Sequence, residues 1–327
     1  MKHWTEPNGN FIINVPINWQ YKYQELENEV EKSPFSFEPY ENPTGCFQIS
    51  CYSLLEKGIN ETQPIQKNNS KIEWLEILNE EPEFSINLFY AQVDDLFCMA
   101  KYIYSTSEKE KEIENLQTVK TILDTVRVIP FGQRIIAKNL AKYDNFQSSL
   151  IASYDLLKNA LNSESLIEII VIYANQIDAF LRLSLVLKTQ LEKETNEIEV
   201  KYLFQEDNEK GIVERKIYSL ALENKIIDET TFNELNLLYD FRNRIIHRYI
   251  ISQIKTIKLV ETAYKYSKLN EKIRLILREK EASQIGKGFG IYGSGFNHSE
   301  TFEEDDFKRA YSMANDKHLF EKYQREI

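Results

Sequence analysis

The chain has 327 residues, enough for two ordinary domains, and a hydrophobic content of 42% supports a real core and excludes global disorder. The formal net charge of −11 argues against nucleic-acid binding by the chain as a whole, yet residues 1–128 carry 11 Lys+Arg against 21 Asp+Glu, residues 129–283 carry 23 against 22, and residues 284–327 carry 6 against 8. Cys46, Cys51 and Cys98 are too few for a disulfide framework and not spaced as a zinc site, no run approaches a membrane span, and MKHWTEPNGNF lacks a secretory apolar stretch, so a cytoplasmic protein without metal or cofactor is expected.

The first third reads as strands closed by a helix. Phe11 to Val15 alternates apolar and polar residues, and Phe35-Ser36-Phe37 and CFQISCYSLL (46–55) have the aromatic content of strands. SKIEWLEILNEE (70–81) has helical spacing through Ile72, Leu75 and Leu78. INLFYAQVDDLFCMAKYIY (86–104) reads as a hairpin around Asp94-Asp95. From Thr106 or Ser107 as cap, a helix is expected with Ile113, Leu116, Val119, Ile122, Leu123 and Val126 on one face. Pro130 and Gly132 then break the pattern, which bounds an acidic α+β domain at 1–128. No catalytic constellation is evident in it; Asp94-Asp95 and Glu80-Glu81 are best explained as turn and surface residues. The opening F-x-I-x-V-P-x-x-W with its strands and long last helix resembles the PsbP-like or Mog-type α/β/α sandwich, which implies a fold and little about function.

Residues 134–283 are helical in period. DNFQSSLIASYDLLKNAL (144–161) offers Asp144 as a cap, and SLIEIIVIYANQIDAFLRLSLVLKTQLEK (165–193) is apolar on most sides, the mark of a central bundle helix. Weaker and then longer helices are expected over 213–227, 228–250 and 256–282, packed antiparallel, up and down. Residues 284–327 read as a Gly-rich linker and a C-terminal amphipathic helix over 300–325, with Phe307, Tyr311 and Leu319 seeking a surface. Gly288, Gly290 and Gly293 satisfy G-x-G-x-x-G but follow a charged helix rather than a strand, so a linker is the better reading than a nucleotide loop.

The chemistry concentrates in LLYDFRNRIIHRYI, residues 237–250. On a helix Asp240, Asn243, Arg244, His247 and Ser252 fall near one polar stripe, with Leu238, Phe241, Ile245, Ile246 and Tyr249 opposite. An imidazole exchanges protons at neutral pH and a guanidinium holds a phosphate, a set sufficient to cleave a phosphodiester without metal. Arg242 points to the apolar side and needs a partner; Asp178 is the expected one, with Asn175 and Arg182 a turn away on either side.

Arg242-Asn243-Arg244-Ile245-Ile246-His247 resembles the Arg-Asn-x-x-x-His motif of HEPN domains, carried on a late helix of a helical bundle over about residues 134–283. The resemblance implies an endoribonuclease of toxin or phage-defence type that leaves a 2′,3′-cyclic phosphate. In it Arg242, Asn243 and His247 are catalytic, while Asp178, Asp240, Arg244 and Arg248 support them. It also implies RNA or a nucleotide as ligand and a homodimer with both motifs in one cleft; nothing points to DNA specificity or to a membrane. The rivals are a non-catalytic HEPN scaffold, a regulator binding a mononucleotide phosphate through Arg242, Arg244 and Arg248, and an adaptor docking through the tail helix.

Overall fold

The computed structural model describes residues 1–22, 33–41, 43–54, 64–67, 71–205 and 210–293. The chain forms two compact units, one running to Ala141 and the other beginning at Lys142. The first is α+β and the second all-α, as the change of period in the sequence requires.

The first unit contains two antiparallel sheets. In the smaller, β1 (Lys2–Thr5), β2 (Phe11–Val15) and β9 (Arg127–Val128) lie in the order β1-β2-β9. The larger has six strands in the order β3-β4-β5-β8-β7-β6, built from β3 (Trp19–Lys22), β4 (Phe35–Pro39), β5 (Gly45–Ser53), β6 (Leu75–Glu80), β7 (Phe84–Val93) and β8 (Leu96–Ser105). Alternation fixes the buried face: Phe89, Ala91 and Val93 of β7 face inward with Cys98, Ala100 and Tyr102 of β8. Helix α1 (Ile113–Leu123) contributes Val119, Ile122 and Leu123 to the same core. Asp94 takes φ +49 at the β7–β8 turn, a conformation Asp tolerates, so the Asp94-Asp95 pair is turn chemistry.

Three local expectations are corrected here. Residues 75–80 form a strand, not part of a helix over 70–81. Ile72, Leu75 and Leu78 have helical spacing, but only Ile72 is buried; the segment is held by a six-residue antiparallel ladder to β7, a tertiary pairing that overrides local propensity. Thr106 and Ser107 lie in a single 3₁₀ turn, Thr106–Glu108, and do not cap α1, which starts five residues later with Ile113 68% exposed. Asp144 is no cap either, because its helix, α2 (Arg134–Asn162), starts well before it.

The second unit is a bundle around α3 (Leu166–Lys193), which buries residues on most of its circumference, from Ile169 to Gln190. By length and composition α3 is apolar enough to cross a membrane, yet most of it is buried within the protein. Then come α4 (Glu214–Glu223), α5 (Glu229–Arg248) and α6 (Thr256–Lys287). Asp228 caps α5 by accepting from the Thr231 N–H at 2.7 Å. Contacts pair Glu214 with Arg242 and Tyr218 with Tyr239, and Asp228 with Lys272 and Phe241 with Lys258, so α4 and α5, and α5 and α6, are antiparallel as expected. Helices α3 and α6 are different. The Asn270 amide donates to Gln176 at 3.1 Å and the Gln284 amide to Gln190 at 2.8 Å, both pairs 94 residues apart. These two helices therefore run parallel, and the bundle departs from simple up-down alternation.

Residues 286–293 are not a loose linker. Gly288, with φ +73, ends α6 and donates its N–H back to Gln284 O at 2.9 Å, the left-handed helix stop that glycine alone adopts without strain. The chain then returns to the bundle: the Gly290 N–H reaches Asn196 Oδ1 at 2.7 Å and the Tyr292 N–H reaches Gln284 Oε1 at 3.1 Å. Ile291 and Tyr292 are buried, and the Tyr292 and Tyr143 hydroxyls are 2.6 Å apart. The G-x-G-x-x-G glycines thus stand at a helix C-terminus, whose carbonyls repel phosphate. The expected helix over 300–325 lies outside the described residues.

Candidate active site on the fifth helix

Helix α5 places the motif in its last two turns. Residues five apart on a helix point about 140° away from each other, so Arg242 and His247 face different surroundings. Arg242 turns inward and is only 9% exposed; His247 lies on the exposed side.

Inside, the partner of Arg242 is Glu214 of α4, not Asp178. The guanidinium Nη1 lies 2.7 Å from Glu214 Oε2 and 2.9 Å from Oε1, and Nη2 donates to Asn243 Oδ1 at 3.2 Å. The Tyr239 ring lies 4.8 Å from the guanidinium carbon, and the Tyr218 hydroxyl donates to Glu214. Burial opposes the charge on Arg242, and the Glu214 carboxylate more than offsets it, so the guanidinium holds its proton more tightly than usual. Burial first, then Glu214, pushes the Tyr218 phenol far above its ordinary range.

Asp178 belongs to the same polar interior but is held by its own helix. Arg182 Nε donates to it at 2.6 Å, and the remaining Arg182 nitrogens bind the Tyr202 and Ile212 carbonyls at 3.2 and 2.7 Å. Arg182 was thus the nearer partner all along, one turn away. Burial raises the Asp178 pKa, with Arg182 opposing. Asp178 Oδ1, Arg242 Nε and the Tyr266 hydroxyl are buried without a hydrogen-bond partner among the described residues.

Outside, Asp240 pairs with Arg215 at the surface. Arg244 is exposed and stacks over Phe241 at 5.1 Å. His247 and Arg248 are exposed, with no ion pair or hydrogen bond among the described residues. Arg244, His247 and Arg248 are three and four residues apart and share one face. Of the seven predicted residues, then, Arg242 and Asn243 come together with Glu214, while Arg244, His247 and Arg248 come together at the surface; Asp178 and Asp240 serve other arginines. Glu214 and Tyr218 were missed. Their i, i+4 spacing on a short amphipathic helix is the available signal, and it is common to many surface pairs.

Several apolar residues of α5, the α5–α6 turn and α6 are exposed as well. Leu237 is 72% exposed, and Ile250 and Ile251 in the α5–α6 turn are 94% and 82% exposed; Ile257 and Tyr264 of α6 are exposed too. Single exposed apolar residues are ordinary, whereas several on neighbouring turns mark an interaction surface.

No family model and no curated protein matches the chain. A solved structure from Bacteroides thetaiotaomicron VPI-5482, determined at 1.50 Å resolution, is similar at 15% identity, covering 52% of this chain and 68% of that one with a TM-score of 0.27.

Proposed function

We propose that the helical unit is a HEPN-type endoribonuclease that cleaves RNA without a metal ion, acting as a homodimer in the cytoplasm in a toxin or phage-defence setting. The observation that supports it is His247: an exposed imidazole with no side-chain partner among the described residues, between two exposed guanidiniums on one helical face. Arg244 and Arg248 meet the RNA phosphate as charge-assisted donors. One His247 takes the proton from a ribose 2′-hydroxyl, whose oxygen attacks phosphorus. The P–O5′ bond breaks, and the 5′-oxygen receives a proton from the imidazolium of His247 in the second copy. The products are a 2′,3′-cyclic phosphate and a 5′-hydroxyl end. The exposed Leu237, Ile250 and Ile251 supply the apolar surface such a pairing needs. In this scheme Arg242 anchors the motif through Glu214 rather than facing the phosphate, and Asn243 steadies Arg242.

A second reading is a non-catalytic HEPN scaffold. It is favoured by the commitment of Arg242 to Glu214 within one copy, and by the usual stabilisation of a cation such as Arg248 in the last turn of a helix. The two readings part on one experiment. Wild-type protein and His247→Ala are incubated with mixed RNA in excess chelator, and the ends are mapped for cyclic phosphate. The nuclease reading expects cleavage by wild type, reduced at least about a hundredfold in the variant at unchanged melting temperature. Intact RNA with both proteins leaves the scaffold.

A further inference from the structure

The six-stranded sheet of the first unit stops at β6, which pairs with β7 and with no other strand among the described residues. All six residues of β6 are exposed, including Leu75, Ile77 and Leu78. An unpaired strand edge presents N–H and C=O groups ready to accept another strand, and proteins that do not use such an edge shorten it, cover it or break it with a bulge or proline. β6 has a full six-residue ladder to its neighbour, no bulge or proline within Leu75–Glu80, and no described strand on its outer side; its two charged side chains, Glu76 and Glu80, are both acidic.

Two further features identify the guest. Residues 73–83 hold five glutamates and no lysine or arginine. Glu76 and Glu80 are bridged by Lys120 and Lys109, while Glu81 and Glu83 have no ion pair among the described residues. A cavity of about 360 Å³ opens beside the start of the strand, within the range of sites that take a small ligand or a large side chain. Of its nine lining residues four are apolar, Ile72, Trp74, Phe89 and Leu123, and five are charged, Glu76 and Lys120 among them. Glu76 is opposite Phe89 in the ladder and so lies on the same sheet face. Alternate side chains of a strand added to β6 would stand on that face, beside the cavity.

We infer that β6 is the acceptor edge for an extended, lysine- or arginine-rich segment of a partner protein, which adds to the sheet as a strand and places one large apolar side chain in the cavity. Self-pairing of two copies is opposed by the charge, since it would bring two sets of five glutamates together.

The test uses the full chain and a fluorescein-labelled synthetic peptide that alternates lysine with isoleucine around a central tryptophan. Saturable binding by fluorescence anisotropy is expected, with hydrogen exchange slowed at Leu75–Glu80. Methylating alternate peptide nitrogens keeps charge and side chains but removes ladder donors, and is expected to weaken binding at least about tenfold. Combined Glu81→Gln and Glu83→Gln substitution, at exposed positions, is expected to weaken it severalfold. Failure to bind, equal affinity for the methylated peptide, or protection confined to regions other than β6 overturns the proposal. Dimerisation of the free protein that is abolished by Ile77→Lys overturns it in favour of a second copy.

Discussion

Deleting the Glu214 carboxylate leaves the Arg242 guanidinium buried without its counter-charge, since Asn243 supplies only a neutral oxygen. Glu214→Ala is therefore expected to destabilise the protein by about 3–5 kcal/mol in urea titrations. Replacing both partners by apolar residues of similar volume, Arg242→Met with Glu214→Leu, is expected to recover much of that loss, because no charge is then stranded. The same pair tests Arg242 as a phosphate contact: a double variant that is folded and still cleaves RNA confines the chemistry to the surface face. The sequence indicated at this scale that Arg242 needed an acid, because the helical wheel placed it on the apolar side. It did not indicate which acid. Asp178 and Glu214 sit on different helices of the same interior, and Arg182, one turn from Asp178, takes that carboxylate first.

At the scale of elements, helix α5 depends on its cap. Two hydrogen bonds from Thr231, from side chain and backbone, and the Lys272 ammonium hold the Asp228 carboxyl down at about 2. The folded pKa lies below the unfolded value of about 3.9, so this contribution is fully present above pH 4 and is lost as pH falls towards 2. Asp228→Asn retains a capping oxygen but does not titrate. Its melting temperature should decline less than that of wild type between pH 4 and pH 2, and parallel declines would show that other groups set the acid response. Gly288→Ala places a Cβ at φ +73 and is expected to cost about 1–2 kcal/mol, measured by thermal unfolding. Helices were legible where apolar residues were dense and persistent, as in α3, which is apolar on most sides. Strand β6 was not, because Leu75 and Leu78 follow the helical spacing rather than the alternation of a strand, and the deciding fact, the ladder to β7, is non-local. The docking of Gly290 and Tyr292 was hidden for the same reason: its anchors, Asn196 and Gln284, are polar residues with no periodic signature.

For the whole molecule, the charge imbalance read from the sequence coincides with two separately compact units. If the helical units pair, Ile250→Asp with Ile251→Asp should halve the mass seen by analytical ultracentrifugation and abolish cleavage together with it, with the helical circular dichroism retained. A wild-type protein that sediments as a monomer at all concentrations removes the two-imidazole scheme. The parallel arrangement of α3 and α6 has a further consequence. Their apolar surfaces alone tolerate a slide of one turn, since leucine and isoleucine pack in many ways. The rungs from Gln176 to Asn270 and from Gln190 to Gln284 do not, because a displaced helix strands four amides in a dry interior. They act as the teeth of a key. Chains that share this bundle should therefore exchange these glutamines and asparagines only in matched pairs, while the leucines around them drift freely.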